Sequence, residues 1–279
     1  MNLVLQGPTL SLDDVDAVAD GARPSTIRKI GEKAFRLEGA APHDSVAKIC
    51  EARRVDYAWV EPGRRFADLK LLAMDMDSTL ITIECIDELG ALAGKGAEVA
   101  AITEAAMRGE IADYKESLRR RVALLAGIDA SVLEKVYREK LRLAPGAKAL
   151  LGACRGHGVE TLLVSGGFTF FTERLRVRLG IDHTISNTLE AKDGRLTGRL
   201  VGEIVDADAK AAKFAAVAKA LKAAKDATVA IGDGANDLKM MALAGVSVAF
   251  HAKPLVRAQA SCALTYCGLD GVLNLFERP

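Results

Sequence analysis

The sequence predicts an α/β protein: a three-layer, doubly wound parallel sheet with an inserted helical cap and a small N-terminal α/β domain. After Pro145, short apolar strands alternate with helical stretches, which is typical of a parallel sheet with helices on both faces. Residues 84–142 have helical periodicity and no strong strand pattern, so they separate the first strand of that sheet from the others. The predicted division is residues 1–66 for the small domain and residues 67–279 for the core, with the cap inserted at about 83–144.

The N-terminal region contains short strand and helix patterns of its own. Strands are predicted at Asn2–Leu5, Ala34–Glu38 and Val55–Val60, and helices at Leu12–Ala19 and Val46–Arg53. Residues 61–65 are predicted to be a linker, because they contain Pro and Gly, which interrupt both kinds of element.

The core region begins with the apolar run Leu71–Met74, which is typical of a buried parallel strand and ends at Asp75. Further strands are predicted at Val159–Val164, Thr228–Ile231 and Val246–Phe250, and an Asp193-Gly194 turn predicts a hairpin over Thr188–Leu200. Helices are predicted at Glu84–Ala93, Ala97–Met107, Tyr114–Leu125, Ser131–Lys140, Ala147–His157, Phe168–Leu179, Ala209–Lys225 and Asp237–Ala244. A helical insertion after the first strand is well placed to cover the carboxyl edge of the sheet, where open α/β sheets bind ligands.

Composition excludes several classes of protein. Lys and Arg number 38 and Asp and Glu 37, and this near-neutral balance argues against nucleic-acid and polybasic membrane binding. No apolar run approaches the roughly 20 residues of a membrane-spanning helix, and the N-terminus lacks the basic region of an export signal. The 5 cysteines form no C-x-x-C pair and do not cluster with the 4 histidines, so we expect reduced thiols, no zinc site and a cytoplasmic location.

Two acidic residues follow the first core strand directly. Asp75 and Asp77 are two positions apart at its carboxyl end, where their carboxylates can converge on one site. Two neighbouring carboxylates require a cation, a proton or a basic residue. Alone, the pair is equally compatible with an ordinary acidic turn.

Two further segments offer groups that can bind an anion. Ser165 and Gly166 lie between a predicted strand and helix, where a hydroxyl and backbone N–H groups can bind a phosphate, although a plain tight turn is the simpler interpretation. Lys210 falls on the apolar face of its predicted helix, together with Phe214 and Val217. A lysine on a buried face needs an anionic partner, unless its chain extends to solvent at the helix start.

The segment Gly232–Asp237 supplies acids and an amide after another strand. Its side chains Asp233, Asn236 and Asp237 offer the oxygen ligands that Mg²⁺ prefers. A turn that caps the next helix is the alternative interpretation.

These four motifs, in this order, resemble the haloacid dehalogenase-like (HAD-like) phosphatase superfamily, and within it the phosphoserine phosphatase family. The resemblance covers about residues 68–279. It is carried by Asp75–Ile81 with Glu84, Ser117–Val122, Val164–Phe168, Asp206–Lys210 and Ala230–Asp237.

The resemblance implies a role for each matching residue. Asp75 is expected to be the nucleophile that forms an aspartyl-phosphate, and Asp77 the general acid and then the base. Mg²⁺ is expected to bind the carboxylates of Asp75 and Asp233 and the backbone carbonyl of Asp77. The residues expected to bind the phosphoryl group are Ser165, Gly166, Lys210 and Asn236, with Asp237 supporting them.

The cap is expected to select the substrate. Arg121 shares a helix face with Leu118 and Leu125, so its guanidinium can face inward and bind a carboxylate, with a structural ion pair as the alternative. Glu84 matches a substrate ammonium group, with a helix N-terminal acid as the alternative. Met107 and Tyr114 resemble apolar pocket residues of the family, with one more residue between them than the family pattern has.

The resemblance therefore implies a cytoplasmic, Mg²⁺-dependent hydrolase that converts O-phosphoserine to serine and phosphate, the last step of serine biosynthesis. The alternatives are a related phosphatase or phosphotransferase for another small phosphomonoester, and a phospho-accepting signalling module. Residues 1–66 resemble a shortened ACT-like domain only weakly, and their alternative role is homodimerisation.

Overall fold

The computed structural model describes residues 1–277, apart from the side chain of Met107. The N-terminal unit comprises β1 (Asn2–Gln6), α1 (Leu12–Ala22), β2 (Thr26–Gly31), β3 (Ala34–Glu38), α2 (Asp44–Arg53) and β4 (Asp56–Val60). Its strands form an antiparallel sheet in the order β2-β3-β1-β4, and apolar residues of both helices share one buried cluster with the sheet. The predicted strands are present, but β2 was not predicted. It is an edge strand with mostly exposed side chains and no apolar alternation.

The core and cap contain β5 (Leu71–Asp75), α3 (Cys85–Leu92), α4 (Gly96–Met107), α5 (Tyr114–Ala123), α6 (Ser131–Lys135), α7 (Ala147–His157), β6 (Glu160–Phe168), α8 (Thr169–Leu179), β7 (His183–Lys192), β8 (Arg195–Val201), α9 (Ala207–Ala220), β9 (Thr228–Gly232), α10 (Leu238–Leu243), β10 (Val246–Phe250), α11 (Pro254–Gln259) and β11 (Cys262–Leu264). Short 3₁₀ turns lie at Phe66–Asp68, Lys225–Ala227, Ala235–Asp237 and Leu269–Leu275, and a π turn at Val136–Lys140. Residues Met76–Leu80 form an irregular turn with non-helical backbone angles at Asp77 and Ser78.

The core sheet has 7 strands in the order β11-β10-β9-β5-β6-β7-β8, parallel except for the β7–β8 hairpin. Its central strand β5 alternates between two apolar layers. Leu71 and Ala73 join the cluster that contains Phe214 of α9, whereas Leu72 and Met74 join the cluster that contains Phe171 of α8. Helices therefore cover both faces, which confirms the doubly wound α/β fold.

The insertion between β5 and β6 is helical, as predicted, and α3–α6 lie within it. Leu118 and Val122 of α5 belong to the same apolar cluster as core residues of β5 and α8, so the cap packs directly on the core. The predicted hairpin turn is also present, with positive φ at Asp193 and Gly194, as a tight two-residue turn requires.

All 5 cysteines are free thiols, and four of them are buried, whereas Cys267 is partly exposed. Among residues 1–277, no helix combines the length and the apolar character that crossing a bilayer requires.

The N-terminal sheet is joined to the last segment of the chain by buried polar side chains from three strands. Arg36 donates to the carbonyls of Asn274 and Phe276, and Gln6 donates to the carbonyl of Gly271. Asp56 accepts hydrogen bonds from three consecutive backbone N–H groups at 2.7, 2.9 and 2.8 Å, those of Thr265, Tyr266 and Cys267. These contacts were not predicted from the sequence.

Candidate active site

The three predicted motifs at the carboxyl ends of β5, β6 and β9 meet at one edge of the core sheet. These strands are neighbours in the order β9-β5-β6 and run parallel, so their carboxyl ends lie side by side. Asp75 is the last residue of β5, and Asp233 directly follows β9. A hydrogen bond joins the two loops, because Thr79 Oγ1 donates to Asp233 Oδ1 at 3.1 Å.

The second acid, Asp77, is buried between the core and the cap. Its Oδ1 accepts from the backbone N–H of Cys85 at 2.9 Å, at the first turn of α3 in the cap. Its Oδ2 accepts from Ser165 Oγ at 3.3 Å, on β6 of the core. Ser165 Oγ in turn accepts from the N–H of Gly167 at 2.8 Å, so the side chain of Asp77 is held from both sides.

Lys210 is fully buried, as its place on the apolar face of α9 predicted. Its Nζ donates to Asp75 Oδ1 at 2.5 Å and to Asp237 Oδ1 at 2.8 Å. The other oxygen of Asp237 accepts from the N–H of Gly234 at 3.1 Å. The alternative of a lysine extending to solvent is therefore wrong, and Asp237 orients the ammonium group beside Asp75.

Burial shapes the ionisation of this cluster. Burial raises the pKa of Asp75 well above its usual value, and the attraction of Lys210 opposes that shift. Burial and the neighbouring Asp237 raise the pKa of Asp233 to about 6. Burial also raises the pKa of Asp77, against the hydrogen bond from Cys85. For Lys210, burial disfavours the charge, but Asp237 and Asp75 outweigh burial and raise its pKa.

The cluster has more negative than positive groups, and this makes it suited to a cation. Ligand oxygens of Asp75, Asp233 and Asp237 lie within 4.8 Å of one another. Both oxygens of Asp237 already accept protein hydrogen bonds, whereas Asp75 and Asp233 each accept a side-chain hydrogen bond through Oδ1 only. Carboxylate oxygens are the ligands that hard divalent cations such as Mg²⁺ prefer, so the donor set fits such an ion.

A cavity of about 560 Å³ lies between this cluster and the cap. From the core it is lined by Asp75, Asp77, Gly166, Asp233, Asn236 and Lys253, and from the cap by Glu84, Asp87, Tyr114 and Arg121, among others. Ser165, Lys210 and Asp237 lie directly beneath, each hydrogen-bonded to a lining residue or its neighbour. The structure therefore brings all the predicted site residues together.

The end of β6 after Ser165 requires glycine for steric reasons. A Cβ on Gly166 would lie 2.1 Å from Tyr114 Oη, and a Cβ on Gly167 would lie 2.5 Å from Asp77 Oδ2. Asn187 orients this segment, because its Nδ2 donates to the carbonyl of Gly166 at 2.8 Å. The absence of side chains here leaves room for a ligand to approach the backbone.

The cap contributes a basic side chain, Arg121, and two acidic side chains, Glu84 and Asp87, to the cavity. Arg121 donates from Nε to the carbonyl of Ser117 at 3.4 Å, and its terminal amino groups have no hydrogen-bond partner among residues 1–277. Arg119 and Arg120 are exposed, as predicted. Glu84 accepts from Ser78 Oγ at 2.7 Å, and burial together with Asp77 raises its pKa to about 7.

Several lining residues were not predicted. Lys253 precedes α11, and its N–H donates to the carbonyl of Asp233 at 3.4 Å, which brings a further cation to the cavity. Asp87, on α3, lies one helical turn after Glu84, and this spacing could have identified it as a residue that lines the cavity. Tyr114 lines the cavity as predicted, whereas the side chain of Met107 lies outside the described part of the chain.

Comparison with known proteins agrees with this geometry. A family model described as haloacid dehalogenase-like hydrolase matches residues 72–242, and a model of a domain of unknown function matches residues 3–56. A phosphoserine phosphatase of a Polaromonas species is 56% identical over 220 residues, which are 77% of this chain and 93% of the relative.

Solved structures give the same result. The unliganded probable phosphoserine phosphatase from Vibrio cholerae has a TM-score of 0.86 and 38% identity, over 99% of this chain and 86% of that one. A substrate-bound phosphoserine phosphatase has a TM-score of 0.70 and 35% identity, over 75% of this chain and 99% of that one. With the acidic cluster, the buried lysine and the cap in place, this chain belongs to the phosphoserine phosphatase family of haloacid dehalogenase-like hydrolases.

Proposed function

We propose that the protein hydrolyses O-phospho-L-serine to L-serine and phosphate through an aspartyl-phosphate, as the last step of serine biosynthesis. One observation carries the proposal. A single cavity has Asp75 beside the buried Lys210 at its base and both an acidic and a basic side chain, Glu84 and Arg121, on its cap side. Such a cavity matches a substrate that combines a phosphate with an ammonium and a carboxylate group.

In the first step, a carboxylate oxygen of Asp75 attacks phosphorus, and the bond between phosphorus and the serine oxygen breaks. Asp77 gives its proton to that departing oxygen, and its buried position favours the protonated form that this requires. In the second step, Asp77 takes a proton from water, the water oxygen attacks phosphorus, and the Asp75 carboxylate is released. The covalent route divides one difficult displacement into two easier ones.

The phosphoryl group is held by groups around Asp75. Ser165 Oγ, the N–H of Gly166, the Lys210 ammonium and the Asn236 amide would contact its oxygens. The positive charge of Lys210 reduces the repulsion between the attacking carboxylate and the phosphate. Asp237 supports this arrangement, because its hydrogen bond fixes the Lys210 ammonium group.

A Mg²⁺ ion would be held by a carboxylate oxygen of Asp75, a carboxylate oxygen of Asp233 and the backbone carbonyl of Asp77. The ion supplies charge neutralisation at the phosphate when it is bound. The excess of carboxylates over basic groups in this buried cluster supports the assignment.

Substrate selection is assigned to the cap. The free terminal amino groups of Arg121 can bind the two oxygens of a carboxylate, and Glu84 can pair with an ammonium group.

We further propose the division into residues 1–66 and 67–279 with a cap at about 83–144, which the separate apolar cluster of the N-terminal unit supports. Homodimerisation and a cytoplasmic location stay predictions.

Phosphate release from a panel of phosphomonoesters, with and without Mg²⁺, tests the function. We expect phosphoserine to be preferred over sugar phosphates, turnover to require the ion, and Asp75→Asn to abolish it. Asp77→Asn should lower kcat by about 100-fold or more. Release without Mg²⁺, or no preference for phosphoserine, would contradict the proposal, and transfer to an added alcohol would indicate a phosphotransferase. A stable phosphorylated Asp75 would instead indicate a signalling module.

A further inference from the structure

Ser78 lies in the cavity between the acidic cluster and the cap. Its Oγ donates to Glu84 Oε1 at 2.7 Å, and its backbone N–H donates to the carbonyl of Ile83 at 3.2 Å. Ser78 also lines the cavity, next to Asp77. It therefore connects the loop after β5 with the start of the cap.

The backbone of Ser78 has a conformation that serine rarely adopts. Its φ is 57° and its ψ is 0°, in the left-handed region that favours glycine. Glycine would adopt this conformation with less strain, but it has no hydroxyl group. Strained backbone of this kind is concentrated at functional sites. The presence of serine rather than glycine here therefore indicates a role for the hydroxyl group.

The Ser78 hydroxyl has one role that the contacts show. Among residues 1–277, its only side-chain hydrogen bond is to Glu84, and the Glu84 carboxylate accepts no other hydrogen bond. Glu84 precedes α3 as its N-cap residue, yet its side chain makes no capping hydrogen bond to that helix. Without Ser78, the Glu84 carboxylate would be free to adopt several rotamers.

We propose that Ser78 is a positioning residue for substrate selection: its hydroxyl holds Glu84 Oε1 so that Oε2 is presented to the ammonium group of the substrate. Fixing the acceptor before the substrate arrives removes the cost of ordering it on binding. The inference rests on the proposed function, because it requires Glu84 to bind the ammonium group.

Steady-state kinetics on two matched esters tests the inference. Phosphoserine carries an ammonium group where 3-phosphoglycerate carries a hydroxyl. For Ser78→Ala we expect the KM for phosphoserine to rise about tenfold with kcat within about threefold, since one charge-assisted hydrogen bond is lost. The kcat/KM for 3-phosphoglycerate should stay unchanged. Ser78→Gly should show the same loss of selectivity, although it removes the backbone strain.

Two further variants separate the possible outcomes. The double variant Ser78→Ala/Glu84→Gln should be no less selective than Glu84→Gln alone, because the hydroxyl acts through Glu84. Ser25→Ala is the matched control, since that hydroxyl donates to the carbonyl of Glu38 in the N-terminal sheet. Equal losses on both esters, or additive effects in the double variant, would overturn the positioning role and leave the proposed function intact. No change of selectivity in Glu84→Gln itself would overturn both.

Discussion

Removing the positive charge of Lys210 should destabilise the protein severely in the absence of metal. The variant Lys210→Met keeps most of the side-chain volume but leaves Asp75 and Asp237 buried without their shared cation. Breaking a buried ion pair by removing one partner costs about 3 to 5 kcal/mol. Because one ammonium group binds both carboxylates, the contributions of the two ion pairs to stability do not add. We therefore expect the free energy of unfolding to fall by an amount within that range.

The pH dependence of this loss follows from the pKa shifts. The folded-state pKa of Lys210 is raised, so its stabilising contribution is complete below the unfolded value of about 10.4 and is lost only as the pH rises through the folded value. The wild-type ammonium group therefore stays charged from pH 5 to pH 9. In Lys210→Met, the stability deficit should shrink toward pH 5, because the unpaired carboxylates can then bind protons.

Urea unfolding in EDTA at pH 7.5 measures the effect. The control is Lys239→Met, which removes an exposed ion pair with Asp208 at 2.6 Å and should cost less than about 1 kcal/mol. A deficit for Lys210→Met that is no larger than that of the control would refute the reasoning. In Mg²⁺ buffer, the same variant should lose at least about 100-fold in kcat/KM for phosphoserine, as expected for a group that stabilises the transition state.

Three further perturbations have clear expectations. In EDTA, the free energy of unfolding should fall as the pH rises from 5 to 8. The raised pKa values of Glu84 (about 7) and Asp233 (about 6) mean that the folded state binds more protons than the unfolded state. A urea-unfolding free energy that does not change with pH would contradict this. Asp56→Ala should lower the free energy of unfolding by roughly 3 kcal/mol in the same assay, since it leaves three backbone N–H groups unpaired. A decrease below about 1 kcal/mol would refute this expectation. Gly166→Ala should lower kcat/KM at least about tenfold through the clash with Tyr114, and partial recovery in Gly166→Ala/Tyr114→Phe would identify the clash as the cause.

The residues of the acidic cluster could be predicted because they follow recognisable strands. Asp75 and Asp233 come directly after short apolar runs, and parallel strands place their carboxyl ends at one edge of the sheet. Lys210 could be predicted because a charged residue on an apolar helix face contradicts the local pattern. In each case the informative signal lies within about ten residues of sequence, on the scale of a single strand or helix.

The contacts between the N-terminal unit and the rest of the chain carry no such signal. Asp56 binds backbone groups of residues 265–267, and Arg36 binds backbone carbonyls of residues 274 and 276. Backbone donors and acceptors are the same at every position, so no residue type marks them as partners. Lys253 was missed for a similar reason, because a backbone hydrogen bond from its N–H to the carbonyl of Asp233 places it at the cavity.

The segment between Asp75 and Cys85 contains residues proposed for the reaction and residues proposed for selection of the substrate. Asp77 is bound on one side by Ser165 of the core and on the other by the first N–H of the cap helix α3. Glu84, which directly precedes that helix, is bound by Ser78, which directly follows Asp77. A displacement of the cap would therefore remove a hydrogen bond from the proposed general acid and move the carboxylate proposed to bind the ammonium group at the same time. The proposed chemistry at phosphorus and the proposed recognition of the amino acid therefore both depend on the position of the cap.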